Sequence, residues 1–407
     1  MPSLAEARAL DAADPIAGYR KQFALPPGVI YLDGNSLGAL PLGTASRLGE
    51  VIRREWGEGL VRSWNSADWI GMPRRLGAMI APLIGAEADE VIACDSTSVN
   101  LFKLIAAALA MRPGRKVVLS EPGNFPTDLY LIAGLEAQGF AERRLAPAEE
   151  LEGAFDDSVA VLLLTHVHYK TGAMHDMARL TRAAHEAGAL VLWDLSHSAG
   201  AVPIDLNGCE ADLAVGCGYK YFNGGPGAPA FAYVAKRHQA ALQQPLTGWM
   251  GHAAPFAFRD DYVSAPGIEQ LLAGTPPILG LAALEEGVRL IAEIGVERLA
   301  AKSRALSQFL RAAVAEVAPD LACVSPEDPQ PRGSHLSFRH PEAYAIAQAL
   351  IAHGVIPDFR EPDVLRLGLA PAYLRFDDCW HAAQALGEVL ASGEWERPEF
   401  KTRATVT

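Results

Sequence analysis

The chain has 407 residues, half of them hydrophobic, and a formal net charge of −13 at pH 7. A chain of this length can bury a large core, and roughly two or three domains are expected. The acidic balance argues against a nucleic-acid partner, because neutralising phosphates requires clustered lysines and arginines. The longest apolar stretches, such as residues 101–111 and 159–164, are too short to span a bilayer.

The cysteines are scattered along the chain, without a CxxC pair or an even framework; they are Cys94, Cys209, Cys217, Cys323 and Cys379. Such usage fits buried thiols in a reducing compartment. The N-terminal residues carry acids early and lack a basic end followed by an apolar core, so we expect no signal peptide. These features predict a soluble, cytoplasmic protein with no membrane partner.

The first predicted elements are a short amphipathic helix within residues 1–28 and a brief strand that leads into a turn-rich loop. Residues 91–94 predict a second strand, followed by Ser96, Thr97, Ser98 and an apolar helix. A strand, small hydroxyl residues and a helix start offer free backbone N–H groups to a phosphate, at the positive end of the helix dipole. The simpler interpretation is that one hydroxyl residue caps the helix, and one residue can do both.

A loop with an aromatic side chain follows the next strand, at residues 116–119. Phe125 on this loop could stack on a flat heterocycle or cover the edge of the core. A helix is predicted to begin near Pro126, and Asp128 in its first turn has an ordinary explanation in the helix dipole.

Three histidines follow another buried strand, at residues 159–165. Alternation places His166 and His168 on one face, with His175 as a third candidate metal ligand. No acid or cysteine completes the set, so we predict no metal.

The rest of the sequence is interpreted around residues 189–227. An apolar run predicts a strand buried on both faces that ends at Asp194, and a second run leads through glycines into Tyr219 and Lys220. A buried lysine loses its proton at modest cost and can form a Schiff base with an aldehyde. An aspartate at a neighbouring strand end keeps a pyridinium nitrogen protonated as an electron sink. The pair points to pyridoxal phosphate, although either residue alone has an ordinary structural explanation.

Strands near residues 91, 117, 161, 191 and 213, mostly separated by helices, predict an α/β fold with a largely parallel sheet. In such a sheet the ligand lies outside the carboxyl ends of the strands. The candidate residues at or just beyond those ends are Thr97, Phe125, Thr165, Asp194 and Lys220. Their coincidence is the strongest physical indication of a ligand site.

The later part of the chain predicts one long helix from about residue 278 to 318, which links the large domain to a smaller C-terminal one. Arg366 then lies in an otherwise apolar strand. A buried guanidinium is costly unless it meets an anion, and a substrate carboxylate would suit its fork. An ion pair with a protein acid is the alternative.

The sequence resembles a known family, the fold-type I pyridoxal-phosphate enzymes, and within them the kynureninases. The motifs that carry the resemblance span nearly the whole chain: YLDGNSLG (31–38), STSVNL (96–101), NFPTD (124–128), YKTG (169–172), WDLSHSAG (193–200), GYKYFNGGPG (218–227), GWMGH (248–252), GTPPI (274–278) and LRLGLAP (365–371). The resemblance implies a large domain with a mostly parallel seven-stranded sheet and a smaller α+β C-terminal domain. The expected boundaries are an N-terminal segment at 1–40 that joins the small domain, a large cofactor-binding domain at 41–277, and a linking helix with the small domain at 278–407.

The same resemblance implies that Lys220 binds pyridoxal phosphate covalently, that Asp194 pairs with the ring nitrogen and that Arg366 binds the substrate's α-carboxylate. Tyr219 would lie near the phosphate, and we predict that it also relays a proton near the reacting carbons. The other implied cofactor-binding residues are Thr97, Ser98, Phe125, Pro126, Thr127, Asp128, Thr165, His197, Trp249 and Thr275. Of these, Trp249 and Thr275 would reach in from the second subunit of a homodimer.

The implied reaction is hydrolytic cleavage of the Cβ–Cγ bond of L-kynurenine to anthranilate and L-alanine in tryptophan catabolism, with 3-hydroxykynurenine as a second candidate substrate. Lys220 would remove the α-proton while the protonated ring accepts the electrons. Two alternatives stay open: another fold-type I enzyme, such as a cysteine desulfurase or an aminotransferase, and a non-catalytic protein that binds the cofactor. A desulfurase requires a reactive cysteine on a mobile loop, for which Cys323 is the remaining candidate.

Overall fold

The computed structural model describes residues 2–404. The strands are β1 Ile30–Tyr31, β2 Val91–Ala93, β3 Val117–Ser120, β4 Glu142–Leu145, β5 Val159–Thr165, β6 Leu190–Asp194, β7 Leu213–Gly216, β8 Phe231–Val234, β9 Ala322–Cys323, β10 His335–Arg339, β11 Val355–Ile356, β12 Asp358–Arg360 and β13 Val364–Gly368. The α-helices are α1 Leu4–Ala13, α2 Leu42–Glu50, α3 Ser63–Ser66, α4 Met72–Ile80, α5 Thr97–Met111, α6 Pro126–Ala137, α7 Met177–Glu186, α8 Lys236–Gln239, α9 Ile278–Ile294, α10 Val296–Val317, α11 Ala343–Ala352, α12 Phe376–Ser392 and α13 Pro398–Lys401. A π-helical segment, Val51–Gly59, continues α2, and short 3-10 turns connect other elements, among them Trp249–Gly251, Pro255–Ala257 and Gly267–Leu271.

A seven-stranded mixed sheet forms the centre of the molecule, in the order β2-β8-β7-β6-β5-β3-β4. Only β8 within this sheet runs antiparallel to its neighbours, so the predicted α/β fold with a mostly parallel sheet is confirmed. Strands such as β5 are apolar along their whole length because helices cover both faces of the sheet. Alternate residues of the central strands accordingly pack into two buried clusters, one on each face.

Parallel pairing brings the carboxyl ends of β5, β6 and β7 to one edge of the sheet. Thr165 pairs with Asp194 across β5 and β6, and Asp194 pairs with Val215 across β6 and β7. The segments that leave β2, β3 and β7 at this edge carry Thr97, Phe125 and Lys220. Each of these residues therefore lies at or just beyond a strand end at this edge of the sheet.

A second, four-stranded antiparallel sheet lies in the C-terminal part, in the order β12-β13-β10-β9. Near it, β1 pairs in parallel with β11, with Ile30 opposite Val355, so the N-terminal segment is joined to this part of the chain. The pairing supports the predicted role of residues 1–40, while the three domain boundaries stay a prediction.

The prediction of one long helix from about residue 278 to 318 is wrong. The chain forms α9 and α10, which are interrupted at Gly295 with φ of +88°. A side chain is strained in that region of backbone space, so glycine permits the break. The apolar periodicity continues through the glycine, which is why the sequence pattern concealed it. Within residues 2–404, no helix has both the length and the apolar character needed to cross a membrane.

Candidate active site

Lys220 lies beyond the end of β7, on the turn that the sequence predicted, and its side chain is buried. Its Nζ atom is 2.9 Å from Nε2 of His197, which follows β6. Burial lowers the pKa of Lys220, although the neighbouring Cys217 and Asp194 oppose the shift. Loss of the proton makes the amine a nucleophile toward an aldehyde.

Two buried carboxyl groups lie near Lys220. Asp194 accepts a hydrogen bond of 2.7 Å from the backbone N–H of Ser196, and burial raises the pKa of Asp194 while Ser196 and Lys220 oppose the rise. Asp128 is fully buried; its burial, followed by the charge of Asp194, raises its pKa well above the usual range. A helix-dipole role alone does not explain a carboxyl group removed from water, whereas a cationic ring nitrogen would balance such a charge.

Phe125 lies against the amine, with its ring centroid 5.7 Å from Lys220 Nζ. Pro126 and Thr127 follow as the first residues of α6, as predicted. The loop is held by Asn124, whose side-chain oxygen accepts hydrogen bonds from the N–H groups of Phe125 at 2.8 Å and Thr165 at 3.3 Å. The sequence analysis did not single out Asn124, because an asparagine in a Gly/Pro-rich loop has an ordinary turn explanation.

The start of α5 has the helix cap that the simpler interpretation expected, while phosphate binding there stays a prediction. Ser96 is the N-cap, and its Oγ accepts a hydrogen bond from Val99 N at 3.3 Å. Thr97 and Ser98 are the first two helical residues, so their N–H groups lie at the positive end of the helix without an intrahelical acceptor. Lys103, also on α5, is fully buried and donates to Asp95 Oδ2 at 2.5 Å and to Leu271 O at 2.6 Å, which fixes the helix start.

Arg366 on β13 is fully buried in a network of protein groups. Its Nη1 donates to Tyr169 O at 2.7 Å, and its Nη2 donates to Ser36 Oγ at 2.8 Å and to the carboxylate of Asp358. The ion pair with a protein acid that was the alternative interpretation is therefore present. A guanidinium has five N–H donors, so donor capacity remains for a substrate carboxylate. Arg360 also approaches Asp358 at 2.9 Å, and the carboxyl group of Asp33 interacts with both arginines, so two cations and two acids meet at this corner of the site.

Tyr219 precedes Lys220, and its backbone oxygen accepts a hydrogen bond from Gly38 N at 2.8 Å. Its ring centroid lies 6.0 Å from Lys220 Nζ. Burial, followed by the charges of Cys217 and Asp194, raises the pKa of the Tyr219 hydroxyl. The phenol is therefore protonated at neutral pH.

Trp249 and Thr275 are not brought to Lys220 within one chain. The Trp249 ring contacts the rings of Phe256 and Phe258, at 5.6 and 6.3 Å between centroids. Thr275 lines an apolar cavity of about 460 Å³ together with three tryptophans, Trp56, Trp64 and Trp69. Across residues 2–404, no hydrogen bond, ion pair or ring contact joins Trp249 or Thr275 to Lys220, Asp194 or Arg366.

Several buried polar atoms near Lys220 have no hydrogen-bond partner in the described part of the chain. They are both carboxylate oxygens of Asp128, Thr165 Oγ1, His197 Nδ1, Arg366 Nε and both ring nitrogens of His335. Protein interiors rarely leave such groups unpaired, so the cluster suits a polar ligand. The groups present match the chemical groups of pyridoxal phosphate. The buried acids suit its ring nitrogen, the amine suits its aldehyde, the aromatic side chain suits its ring, and the free N–H groups at the helix start suit its phosphate.

Comparison with known proteins agrees with this geometry. The family model described as the kynureninase C-terminal domain matches residues 299–386. A kynureninase of Burkholderia mallei is 52% identical over 416 residues, which cover 100% of both chains. A kynureninase of Pseudomonas fluorescens is 49% identical over 408 residues, which cover 98% of both chains.

The chain belongs to the kynureninase family. Its fold extends beyond that family: a cysteine desulfurase of Thermococcus onnurineus superposes with a TM-score of 0.80 at 18% identity, covering 92% of this chain and 98% of that one. A C-DES variant with glycine covalently linked to its PLP cofactor superposes with a TM-score of 0.80 at 17% identity, covering 91% and 99%. Such low identity shows a shared fold alone, which confirms the predicted fold-type I architecture.

The desulfurase alternative loses its candidate nucleophile in this member of the kynureninase family. Cys323 is half-buried in β9, where it pairs with Phe338 of β10. A cysteine fixed in a sheet lacks the loop mobility that sulfur transfer requires. Ser36, with Leu37 and Gly38, was a candidate for an entry loop over the site, and its hydroxyl contacts Arg366. The candidate residues that the sequence analysis missed, Asp358 and His335, come from strands distant in sequence from Lys220.

Proposed function

We propose that the chain hydrolyses L-kynurenine to anthranilate and L-alanine, with pyridoxal phosphate bound to Lys220. The observation that carries the proposal is the buried Lys220 amine beside two buried carboxyl groups, Asp194 and Asp128, in a chain of the kynureninase family. 3-Hydroxykynurenine is a second candidate substrate.

The bound cofactor supplies an electron sink for a carbanion at Cα of the substrate. Asp194, with Asp128 beside it, would hold the proton on the cofactor's ring nitrogen, and Phe125 would contact the ring. The N–H and hydroxyl groups of Thr97 and Ser98 would bind the phosphate.

The substrate's α-carboxylate is bound by Arg366, which is held in place by Asp358, Ser36 and the backbone of Tyr169. Once the substrate's amine has replaced it on the cofactor, Lys220, whose pKa is lowered by burial, would accept the proton from Cα. Water would add to the γ-carbonyl, and its oxygen would stay with the aryl acid when the Cβ–Cγ bond breaks. Tyr219, protonated because burial raises its pKa, would supply the proton that Cβ gains. Return of the proton from Lys220 to Cα would then give L-alanine beside anthranilate.

We also propose a homodimer, in which a second chain brings Trp249 and Thr275 to the phosphate. Trp249, Phe256 and Phe258 are 37%, 54% and 76% exposed although they contact one another. A contiguous exposed aromatic patch is typical of a protein interface. A cytoplasmic location is part of the same proposal and rests on the scattered, unpaired cysteines.

The direct test mixes the purified protein, supplied with pyridoxal phosphate, with L-kynurenine and follows anthranilate fluorescence. Wild type should give a signal that Lys220→Ala lacks. An absorbance band of the bound cofactor that is lost in Lys220→Ala, without anthranilate, would retain the cofactor site and reject the substrate. L-cysteine, with sulfide as the readout, then tests the desulfurase alternative.

A further inference from the structure

One face of the small sheet is polar and is directed at the active site. Ser337 and Asp358 lie directly opposite Arg366 on the strands to either side, so the three side chains share a face. His335 is two residues from Ser337 and opposite Gly368, which places it on that same face, diagonal to Arg366. The face therefore presents a cation, an acid and an imidazole to the loop that follows β5.

The loop that follows β5 contacts both His335 and Arg366. Tyr169 O accepts from Arg366 Nη1 at 2.7 Å, and Gly172, with φ of +75°, packs so closely on His335 that an added Cβ would lie 3.2 Å from its Nε2. On its other side the His335 ring meets that of His197 at 5.8 Å between centroids, and His197 contacts Lys220. His335 is thus held between the arginine and the lysine.

His335 is fully buried, yet neither of its ring nitrogens has a hydrogen-bond partner within residues 2–404. Burying a polar group without a hydrogen-bond partner lowers the free energy of unfolding. If His335 served only in packing, an apolar residue could replace it without loss of stability. Arg366 and Lys220 both act electrostatically on His335, and in the proposed function they bind the carboxylate and act at the α-carbon of one substrate.

We propose that His335 is a second ligand of the substrate's α-carboxylate, to which it donates a ring N–H while Arg366 supplies the charge. The proposal rests on the proposed function, because it takes its substrate to be an α-amino acid. A carboxylate oxygen accepts more than one hydrogen bond, so the imidazole and the guanidinium do not compete.

The charge state of His335 suits this role. Burial, followed by the positive charge of Arg366, lowers the pKa of His335 well below its usual range, so the ring stays neutral. A neutral imidazole has one N–H donor and one acceptor nitrogen. It therefore adds a directed hydrogen bond to the carboxylate without adding a second cation beside Arg366.

The experiment separates carboxylate recognition from general packing by pairing two ligands with three variants. L-alanine and ethylamine differ in the carboxylate, and each is titrated into the cofactor-loaded protein while the absorbance of the cofactor is followed. His335→Phe keeps the ring shape without a donor, and His335→Gln keeps a donor of similar reach. Ser337→Ala, on the same strand, is the control for disturbance of the sheet, because its hydroxyl binds Lys170 O rather than the site.

His335→Phe should weaken L-alanine binding by about 10- to 100-fold, the effect of losing one hydrogen bond to a charged group, and should leave ethylamine binding unchanged. His335→Gln should restore most of the loss, and Ser337→Ala should affect the two ligands equally. An equal loss for both ligands in His335→Phe, or no loss for either, would overturn the proposal. Because the readout is binding, these outcomes stand apart from whether kynurenine is turned over.

Discussion

Nζ of Lys220 lies 2.9 Å from Nε2 of His197, and both side chains are buried. Burial lowers the pKa of each group, and the charge of Lys220 is the next cause of the shift at His197. Because the pKa values of both nitrogens are lowered, a larger fraction of the Lys220 amine is neutral than for an exposed lysine at the same pH. Cofactor attachment and proton removal from the substrate both need the amine in that form.

The first prediction concerns the rate at which cofactor-free protein takes up pyridoxal phosphate. Because attack requires the neutral amine, the rate should rise with pH with an apparent pKa below the usual lysine value of about 10.4. The growth of the cofactor's absorbance band, followed by stopped flow at a series of pH values, measures it. Lys220→Ala corrects for reaction at surface lysines. An apparent pKa at the usual value would show that burial does not activate this amine.

The second prediction is that Asp128 lowers the stability of the cofactor-free protein but strengthens cofactor binding. Both of its carboxylate oxygens are buried without a hydrogen-bond partner in the described chain, and burial raises its pKa. Asp128→Asn should stabilise the cofactor-free protein at pH 7 by about 1 kcal/mol or more, since it removes a buried carboxyl group that ionises more readily in the unfolded chain. It should also weaken pyridoxal phosphate binding. Urea unfolding and a cofactor titration measure the two effects.

The pH dependence of the Asp128 effect follows from the raised pKa. The Asp128 carboxyl group lowers the free energy of unfolding only as the pH rises above its unfolded-state pKa of about 3.9. The stabilisation by Asp128→Asn should therefore vanish below about pH 4 and grow towards neutral pH. Asp157→Asn, at a fully exposed carboxylate, is the control and should change neither quantity. A destabilised cofactor-free Asp128→Asn protein would contradict the prediction.

The third prediction concerns Asp212, outside the candidate active site. Here the change from aspartate to asparagine should lower the free energy of unfolding rather than raise it. Its carboxylate accepts hydrogen bonds from His185 at 2.8 Å, from His238 and Arg237 at 2.7 Å each and from Val191 N at 2.9 Å. Burial alone would raise its pKa, but the hydrogen bonds of His185 and His238 bring the pKa below its usual range. Asp212→Asn should destabilise the protein by about 3 kcal/mol at pH 7, because it breaks a buried charged network.

A carboxyl group whose pKa is lowered by folding stabilises the protein at pH values above its unfolded-state pKa, and this stabilisation is lost as the pH falls. The difference in urea midpoint between wild type and Asp212→Asn should therefore narrow from about pH 5 downwards. Asp157→Asn, at a fully exposed carboxylate, is the comparison. A difference that does not change with pH would mean that the carboxylate acts through packing rather than charge.

The buried strands of the large sheet could be predicted because β5 and β6 are continuous apolar runs that end at polar residues. β4 escaped prediction because its sequence, ERRL, is charged and lies at the sheet edge, where burial imposes no apolar pattern. β8 escaped because its four residues follow a glycine-rich turn and run antiparallel to the rest.

The lysine side of the site could likewise be predicted, since each residue follows a strand of one sheet. On the carboxylate side the sequence singled out Arg366 but not the residues around it. Asp358 and His335 reach Arg366 through the register of three antiparallel strands, which local sequence does not determine. An aspartate and a histidine that each begin a short strand carry no pattern that distinguishes them from ordinary surface residues.

The last prediction concerns the exposed aromatic patch of Trp249, Phe256 and Phe258. In the proposed dimer, a second copy of the chain covers this patch, and Trp249 contacts the phosphate bound to that copy. A charge at the centre of the patch should therefore separate the subunits, and activity should be lost with the dimer. Phe258 is the position to change, because its side chain is 76% exposed and its ring contacts Trp249 and Phe256 of the same patch. Sedimentation velocity should show a dimer for wild type and a monomer for Phe258→Asp, with pyridoxal phosphate bound more weakly. Phe140→Asp, at a phenylalanine that is 61% exposed elsewhere on the surface, should remain dimeric and active. A dimeric Phe258→Asp protein, or a fully active monomer, would show that the patch does not complete the site, and Trp249 would then lose its proposed role at the phosphate.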